Sequence, residues 1–300
     1  MIGFGAVLLW SMLAVLTVLT DPVPAFLLNG LTFGIGGLAS LGLIALRGGL
    51  GRLRGLAPGA ILFGVAGLFL YHALYFAALR LAPPAEAGLI NYLWPLLIVL
   101  MSGMLPGERL RRVHVIGAVA AFAGAALVVL KGGGDIAGTG TAWLGLLLAG
   151  LAAFTWAIYS LGSRRFGNVP TEAVVLYCIG TSVLSVICHL VFETTVWPAH
   201  AMGWWALLAL GLGPVGLAFF LWDVGVKRGD IQLLGVSSYC APLLSTLALV
   251  VAGMAPLSVD LLFAALLIVL GAVIASCGSR IGAAEASGTV AAPDALSRPD

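Results

Sequence analysis

Two stretches of this chain place hydrogen-bonding and aromatic side chains inside otherwise unbroken apolar sequence. The first holds Tyr71, His72 and Tyr75, and the second holds Asn91, Tyr92, Trp94 and Pro95. A neutral imidazole can both donate and accept a hydrogen bond, and a tyrosine offers an apolar ring with a hydroxyl. Such a set suits reversible, non-covalent recognition of a small molecule with polar ends and an apolar body. In that reading His72 and Asn91 bond a zwitterion, while Tyr75, Tyr92, Trp94 and Trp156 form an aromatic wall; Tyr71 and Tyr239 complete the candidate binding set. The alternative is that His72 and Asn91 bond neighbouring helices while the rings fill core or face lipid. Strongly polar groups at membrane depth are costly and tend to face protein interiors or cavities, which favours the binding reading.

Covalent and metal chemistry are poorly served. Gly235-Val236-Ser237-Ser238-Tyr239 lacks the final glycine of a nucleophile elbow, and no HExxH occurs. Cys178, Cys188, Cys240 and Cys277 show neither CxxC spacing nor paired histidines nearby. No enzyme activity, catalytic residue, metal or cofactor is expected, and an intramembrane enzyme is the disfavoured alternative.

The elements that must position these groups are set by composition. Hydrophobic residues make up 61% of the 300 residues and charged residues 9%, against roughly 25% charged in soluble domains. Apolar runs near the ~20 residues needed to cross a bilayer recur along the chain. They fall at 2–19, 24–46, 58–80, 84–105, 112–130, 142–164, 171–191, 204–227, 232–253 and 258–279. Backbone polar groups need internal partners in lipid and no alternating strand pattern is visible, so the expected fold is an all-α polytopic membrane protein of ten transmembrane helices. Of the fourteen Lys and Arg, only Arg80 and Lys131 fall outside if the amino terminus is cytoplasmic. Both termini are therefore expected in the cytoplasm. Residues 280–300 read as a disordered cytoplasmic tail.

The chain also resembles itself. Arg80, Gly88, Tyr92, Pro95, Leu96 and Leu97 are in register with Lys227, Gly235, Tyr239, Pro242, Leu243 and Leu244, an offset of 147. Trp10 pairs similarly with Trp156, and Gly117-Ala118-Val119 with Gly271-Ala272-Val273. Five spans per copy is an odd number, so the second copy must cross the membrane in the opposite sense. The expectation is two five-helix inverted-topology repeats, 1–131 and 140–279, an arrangement found in secondary transporters.

The stretch Ala77-Ala78-Leu79-Arg80-Leu81-Ala82-Pro83-Pro84-Ala85-Glu86-Ala87-Gly88, with Tyr92-Leu93-Trp94-Pro95-Leu96, Gly107-Glu108-Arg109-Leu110 and Leu9-Trp10-Ser11, resembles the EamA-type drug/metabolite transporter superfamily. Within it the chain is most similar to bacterial aromatic amino acid exporters. The resemblance implies a central cavity between inverted repeats, in a multi-pass protein of the bacterial inner membrane. It implies export of amino acids, aromatic and other neutral ones, by alternating access. The partners expected are the small-molecule substrate and the lipid bilayer, with no nucleic acid, and the chain is expected to act as a monomer.

Pro95 and Pro242 occupy matched positions and each frees a carbonyl four residues earlier, at Asn91 and Ser238. They are candidate hinges, as are Gly67 and Gly216, whose lack of a side chain also suits close packing. Proton coupling would want a buried carboxylate, and Glu86 and Asp223 are the candidates. Asp223 has Lys227 one turn later, which suits an ion pair. Facilitated diffusion without ion coupling is therefore the expected mode, with a proton-coupled exporter of drugs or other metabolites as the alternative.

Overall fold

In the computed structural model, residues 2–82, 84–131, 142–251, 253 and 259–290 are described. Among them the chain is all-helical, without a strand. The long helices are α3 (Ala25–Leu46), α4 (Pro58–Leu81), α7 (Arg112–Lys131), α8 (Ala142–Arg165), α9 (Val174–Phe192) and α14 (Val259–Val290). Between them lie shorter pieces in pairs: α1 (Phe4–Trp10) with α2 (Leu13–Leu19), α5 (Pro84–Asn91) with α6 (Trp94–Ser102), and α12 (Ile231–Ser237) with α13 (Cys240–Val251). The remaining pair, α10 (Ala201–Leu210) and α11 (Ala218–Arg228), is joined by a π-helical stretch over Gly211–Leu217. Six helical stretches are long and apolar enough to cross a membrane, and four shorter apolar ones lie at 4–19, 87–102, 112–127 and 262–276. The protein is a polytopic helical membrane protein.

Two of the interruptions are the proline effect anticipated above. The helix breaks at Tyr92–Leu93 and again at Ser238–Tyr239, in each case at or next to the residue, Asn91 or Ser238, whose carbonyl loses its regular helical donor to the proline four residues later. The break at Ser11–Met12 has no proline. Ser11 Oγ instead donates to the Leu8 carbonyl at 2.6 Å, and the Met12 N–H bonds three residues back to Leu9, tightening the turn. At the carboxyl end the helix runs on to Val290, past the boundary expected at 279. Ala283, Ala284, Glu285 and Ala286 are strong helix formers and carry it into the segment 280–300 read as disordered. Residues 291–300 lie outside the described part.

Three tight helix pairs make the frame: α3 with α9, α4 with α8, and α7 with α14. Small residues set the distances. A Cβ on Gly67 would lie 2.5 Å from the Tyr159 ring, and one on Gly117 would lie 2.5 Å from the Gly271 carbonyl oxygen. A further constraint holds α3 against the π-helical stretch. There, a Cβ on Gly36 would sit 2.6 Å from the Gly211 oxygen and 2.7 Å from Gly216 Cα. Backbone meets backbone at this crossing, so no rotamer change can relieve a clash. Gly36→Val is therefore expected to lower stability by about 1–3 kcal/mol, the usual cost of overpacking, read as a fall in the melting temperature of the detergent-solubilised protein. Gly42→Val, where a Cβ meets nothing within 4 Å, is the matched control and should leave the melting temperature within a degree or two of the parent.

Candidate functional site

Four tryptophans meet at the centre of the molecule, one each from α1, α6, α8 and α11. Trp10, Trp94, Trp156 and Trp222 are all mutual neighbours, with ring centroids between 5.2 and 6.4 Å apart. Tilted and edge-on geometries dominate, as the ring quadrupoles prefer. Trp222 is 1% exposed and donates through Nε1 to Ser160 Oγ at 3.0 Å. Trp10 Nε1 donates to the Pro214 carbonyl at 3.0 Å, inside the π-helical stretch. That bond serves a carbonyl where the regular ladder is disturbed.

Above this tetrad lies a cavity of about 560 Å³, within the roughly 300–1,000 Å³ range of small-molecule pockets. Trp10, Trp94, Trp156 and Phe219 line its base, and Tyr71, His72, Tyr75, Asn91 and Tyr92 its middle. Toward the end of the molecule that carries Arg80 it is bounded by Thr17, Leu28, Phe76 and Leu79. Among the described residues, no Asp, Glu, Lys or Arg lines it. The structure thus brings together Tyr71, His72, Tyr75, Asn91, Tyr92, Trp94 and Trp156 of the expected binding set. Both polar stretches, on α4 and on α5 with α6, thus reach one cavity.

The polar groups of the cavity are only partly engaged by protein. His72 Nδ1 donates to the Leu68 carbonyl at 2.7 Å, one turn back on α4, so a neutral ring keeps Nε2 as an acceptor. Asn91 Nδ2 donates to the Tyr71 hydroxyl at 3.2 Å. Asn91 Oδ1 and Trp156 Nε1 are both buried with no hydrogen-bond partner. An acceptor and a donor left open in an apolar setting cost free energy unless something else bonds them. Asn29 and Thr32 of α3, Phe219 of α11 and Ser245 of α13 also reach the cavity. The sequence reading missed them, because a lone Asn, Thr or Ser in an apolar helix gives no sign of which face it occupies.

Tyr239 is placed elsewhere. It is fully buried against Phe122, Val99 and Ala118, outside the cavity, and its hydroxyl accepts a 3.1 Å hydrogen bond from the Leu96 N–H. That N–H is one of the open donors at the start of α6, created by the break at Tyr92–Leu93. Pro95 and Pro242 follow their breaks, and Gly67 and Gly216 sit at helix crossings rather than at the cavity wall. Asp223, 1% exposed, accepts from Lys227 Nζ at 2.8 Å and from Thr171 Oγ1 at 2.7 Å, and it does not line the cavity. The side chain of Glu86 lies outside the described part.

Replacing Tyr239 by Phe leaves the Leu96 N–H without its partner and should cost about 1–3 kcal/mol of stability, seen as a lower melting temperature. The affinity for any ligand of the cavity should stay unchanged.

Comparison with known proteins agrees with this architecture. The model of the EamA-like transporter family matches residues 1–130 and 143–277. An aromatic amino acid exporter, YddG, of Ancylobacter novellus is 52% identical over 281 residues, covering 93% of this chain and 97% of that protein. The exporter of the same name from Salmonella typhimurium is 26% identical over 291 residues, covering 93% and 97%. A solved crystal structure at 52% identity superposes with a TM-score of 0.87 over 93% of this chain and 97% of its own. An aromatic cavity enclosed by apolar helices, and a family model matching nearly the whole chain, lead to one conclusion: this chain belongs to the EamA-like transporter family.

Proposed function

We propose that the protein exports amino acids, aromatic and other neutral ones, from the cytoplasm across a bacterial inner membrane, by alternating access of this cavity and without ion coupling. The observation that carries the reading is the pair of unpartnered buried groups, Asn91 Oδ1 and Trp156 Nε1, in a cavity walled by aromatic rings and lined by no charged side chain among the described residues. An ammonium group needs acceptors, which Asn91 Oδ1 and His72 Nε2 supply. A carboxylate needs a donor, which Trp156 Nε1 supplies, and an aromatic side chain packs against Tyr75, Tyr92 and Trp10. A lipophilic cation would leave the donor unanswered and find no carboxylate to pair with. The 52% identity to an aromatic amino acid exporter supports the same cargo.

In this reading the four shorter apolar stretches span together with the six long ones, giving ten helices in two inverted repeats, 1–131 and 140–279. Contacts between repeat-related residues support it. Trp10 touches Trp156, Gly117 meets Gly271, and α7 packs on α14. Residues near a two-fold axis must meet their own counterparts. Both termini are cytoplasmic, and the cavity faces outward. Its inner side is closed by the tryptophan tetrad and, below it, by Arg164, which donates to the Val226 and Gly229 carbonyls at 2.7 and 2.8 Å and pairs with Glu108. To open inward the tetrad must part and Arg164 must release, with the helix breaks before Pro95 and Pro242 and the crossings at Gly67 and Gly216 taking up the bend. The protein works as a monomer. With Asp223 paired to Lys227, no carboxylate among the described residues is left to carry a proton through the cavity.

Counterflow of radiolabelled phenylalanine and threonine in proteoliposomes tests the reading. Saturable counterflow is expected, indifferent to an imposed proton gradient; accumulation that follows the gradient would overturn the uncoupled mechanism, and absence of counterflow the amino acid assignment. Asn91→Leu and Trp156→Phe should each raise KM about tenfold, the ~1.4 kcal/mol of one hydrogen bond to a charged group, with phenylpropanoate and phenethylamine competing far more weakly than phenylalanine. Equal competition by either fragment would remove the two-ended recognition.

A further inference from the structure

The helix α3 begins after Asp21-Pro22-Val23-Pro24, and its preceding residue, Pro24, has no side-chain oxygen to cap the open N–H groups of the first turn. The cap comes from 167 residues away. Glu193, directly after α9, accepts from the Phe26 N–H at 3.0 Å through Oε1 and 3.1 Å through Oε2, and from the Leu27 N–H at 3.1 Å through Oε2. The same carboxylate takes Arg80 Nη2, at the end of α4, at 2.8 Å, and lies 3.1 Å from His189 Nδ1 on α9. His189 is itself fixed through Nε2 to Thr195 Oγ1 at 2.8 Å. Glu193 is 2% exposed although it lies at the end of the bundle.

The three elements joined here are not equivalent to the rest. The first turns of α3 carry Leu28, Asn29 and Thr32, and the last turns of α4 carry His72, Tyr75, Phe76 and Leu79, all of them lining the cavity. The partner element α9 packs closely on α3. It holds α3 through Ser185 Oγ, which accepts from Asn29 Nδ2 at 2.7 Å, and through Ser182 Oγ, which donates to the Gly30 carbonyl at 2.6 Å. Between α3 and α4 themselves contact is sparse, as walls on two sides of a space must be. A charge-assisted hub is the strongest connection available at that end, since a carboxylate bonded to backbone N–H groups and a guanidinium is roughly twice as strong per bond as a neutral pair.

We infer that Glu193 is a positioning residue of the transport cavity: one buried carboxylate pins the first turn of α3 and the last turn of α4 to α9, and thereby sets the width of the cavity mouth at the Arg80 end. The inference rests on the transport reading above, in which that mouth is the outward one. Glu193 touches no substrate. It acts through Asn29 on one wall and through Tyr75 and Phe76 on the other, so its loss weakens binding in the open state and spares the later steps.

The test uses the full chain with Cys178, Cys188, Cys240 and Cys277 replaced by Ala and a single cysteine at Leu28 or at Leu79, labelled from outside intact cells by a membrane-impermeant maleimide. Counterflow of phenylalanine is followed in parallel in proteoliposomes. Glu193→Gln should change the labelling rate at both positions and raise KM about tenfold with turnover within about twofold, the pattern of lost binding rather than lost folding. Arg80→Gln should change labelling at Leu79 alone, because the cap on α3 persists, and raise KM about threefold. Glu193→Asp, which keeps the charge, should recover part of both effects. Unchanged labelling and KM in Glu193→Gln, or a fall in turnover at constant KM, would overturn the inference. If Glu193→Gln does not reach the membrane, Arg80→Gln decides in its place, and parental labelling and KM there would overturn it equally. A parent chain without counterflow would defeat the transport reading, while the labelling rates would still judge the hub.

Discussion

The tryptophan tetrad is the constraint around which the rest of the molecule is arranged. Trp10, Trp94, Trp156 and Trp222 come from four different helical segments, two in each half of the chain, and every pair is in contact. Each edge-on or tilted aromatic contact adds about 0.5–1.5 kcal/mol beyond the area it buries. Lipid tails give apolar helices little reason to prefer one another, so packing of this kind carries an unusual share of helix association in a membrane. The tetrad also decides the shape of the interior. Bulky rings fill the axis at one level and leave the space above them to smaller and polar groups, which is where the cavity lies.

Charge is handled at the ends of the bundle in a consistent way. Arg164 donates to the last carbonyls beyond α11, and Glu193 accepts from the first N–H groups of α3. In both cases a side chain from one half of the chain or one distant helix satisfies the open backbone groups of another helix, with the charge sign that the helix dipole favours. Such bonds tie elements together more specifically than a surface ion pair would, because the backbone partner cannot swing away. The charged groups of both sets lie away from the central cavity, whose described lining carries neutral donors and acceptors.

The interrupted helices show how one sequence repeat can serve two purposes. Tyr92 and Tyr239 are counterparts, each just before a proline. Tyr92 faces the cavity, whereas Tyr239 lends its hydroxyl to the N–H that the first break exposes. The backbone keeps the sequence pattern to within one residue, with breaks at Tyr92–Leu93 and Ser238–Tyr239, while the two tyrosines differ in what they meet.

The sequence by itself determined the helical, membrane-spanning character, since length and hydropathy of the runs leave the backbone no other way to bond. It also determined where two helices break, because proline removes a donor at a known offset, and that Asp223 would pair with Lys227 one turn away. These are local rules, set within a turn or two of chain. What only the tertiary structure decided depends on residues far apart in sequence: that Trp94 and Trp222 join Trp10 and Trp156, that Asn29 and Phe219 reach the cavity while Tyr239 does not, and that Glu193 caps a helix 167 residues away. A helix presents every side chain to some neighbour, and its rotation about its own axis is fixed by packing against small residues such as Gly36 and Gly216 on other helices. That rotation is invisible in the sequence of the helix alone, and it selects which of the polar groups meet.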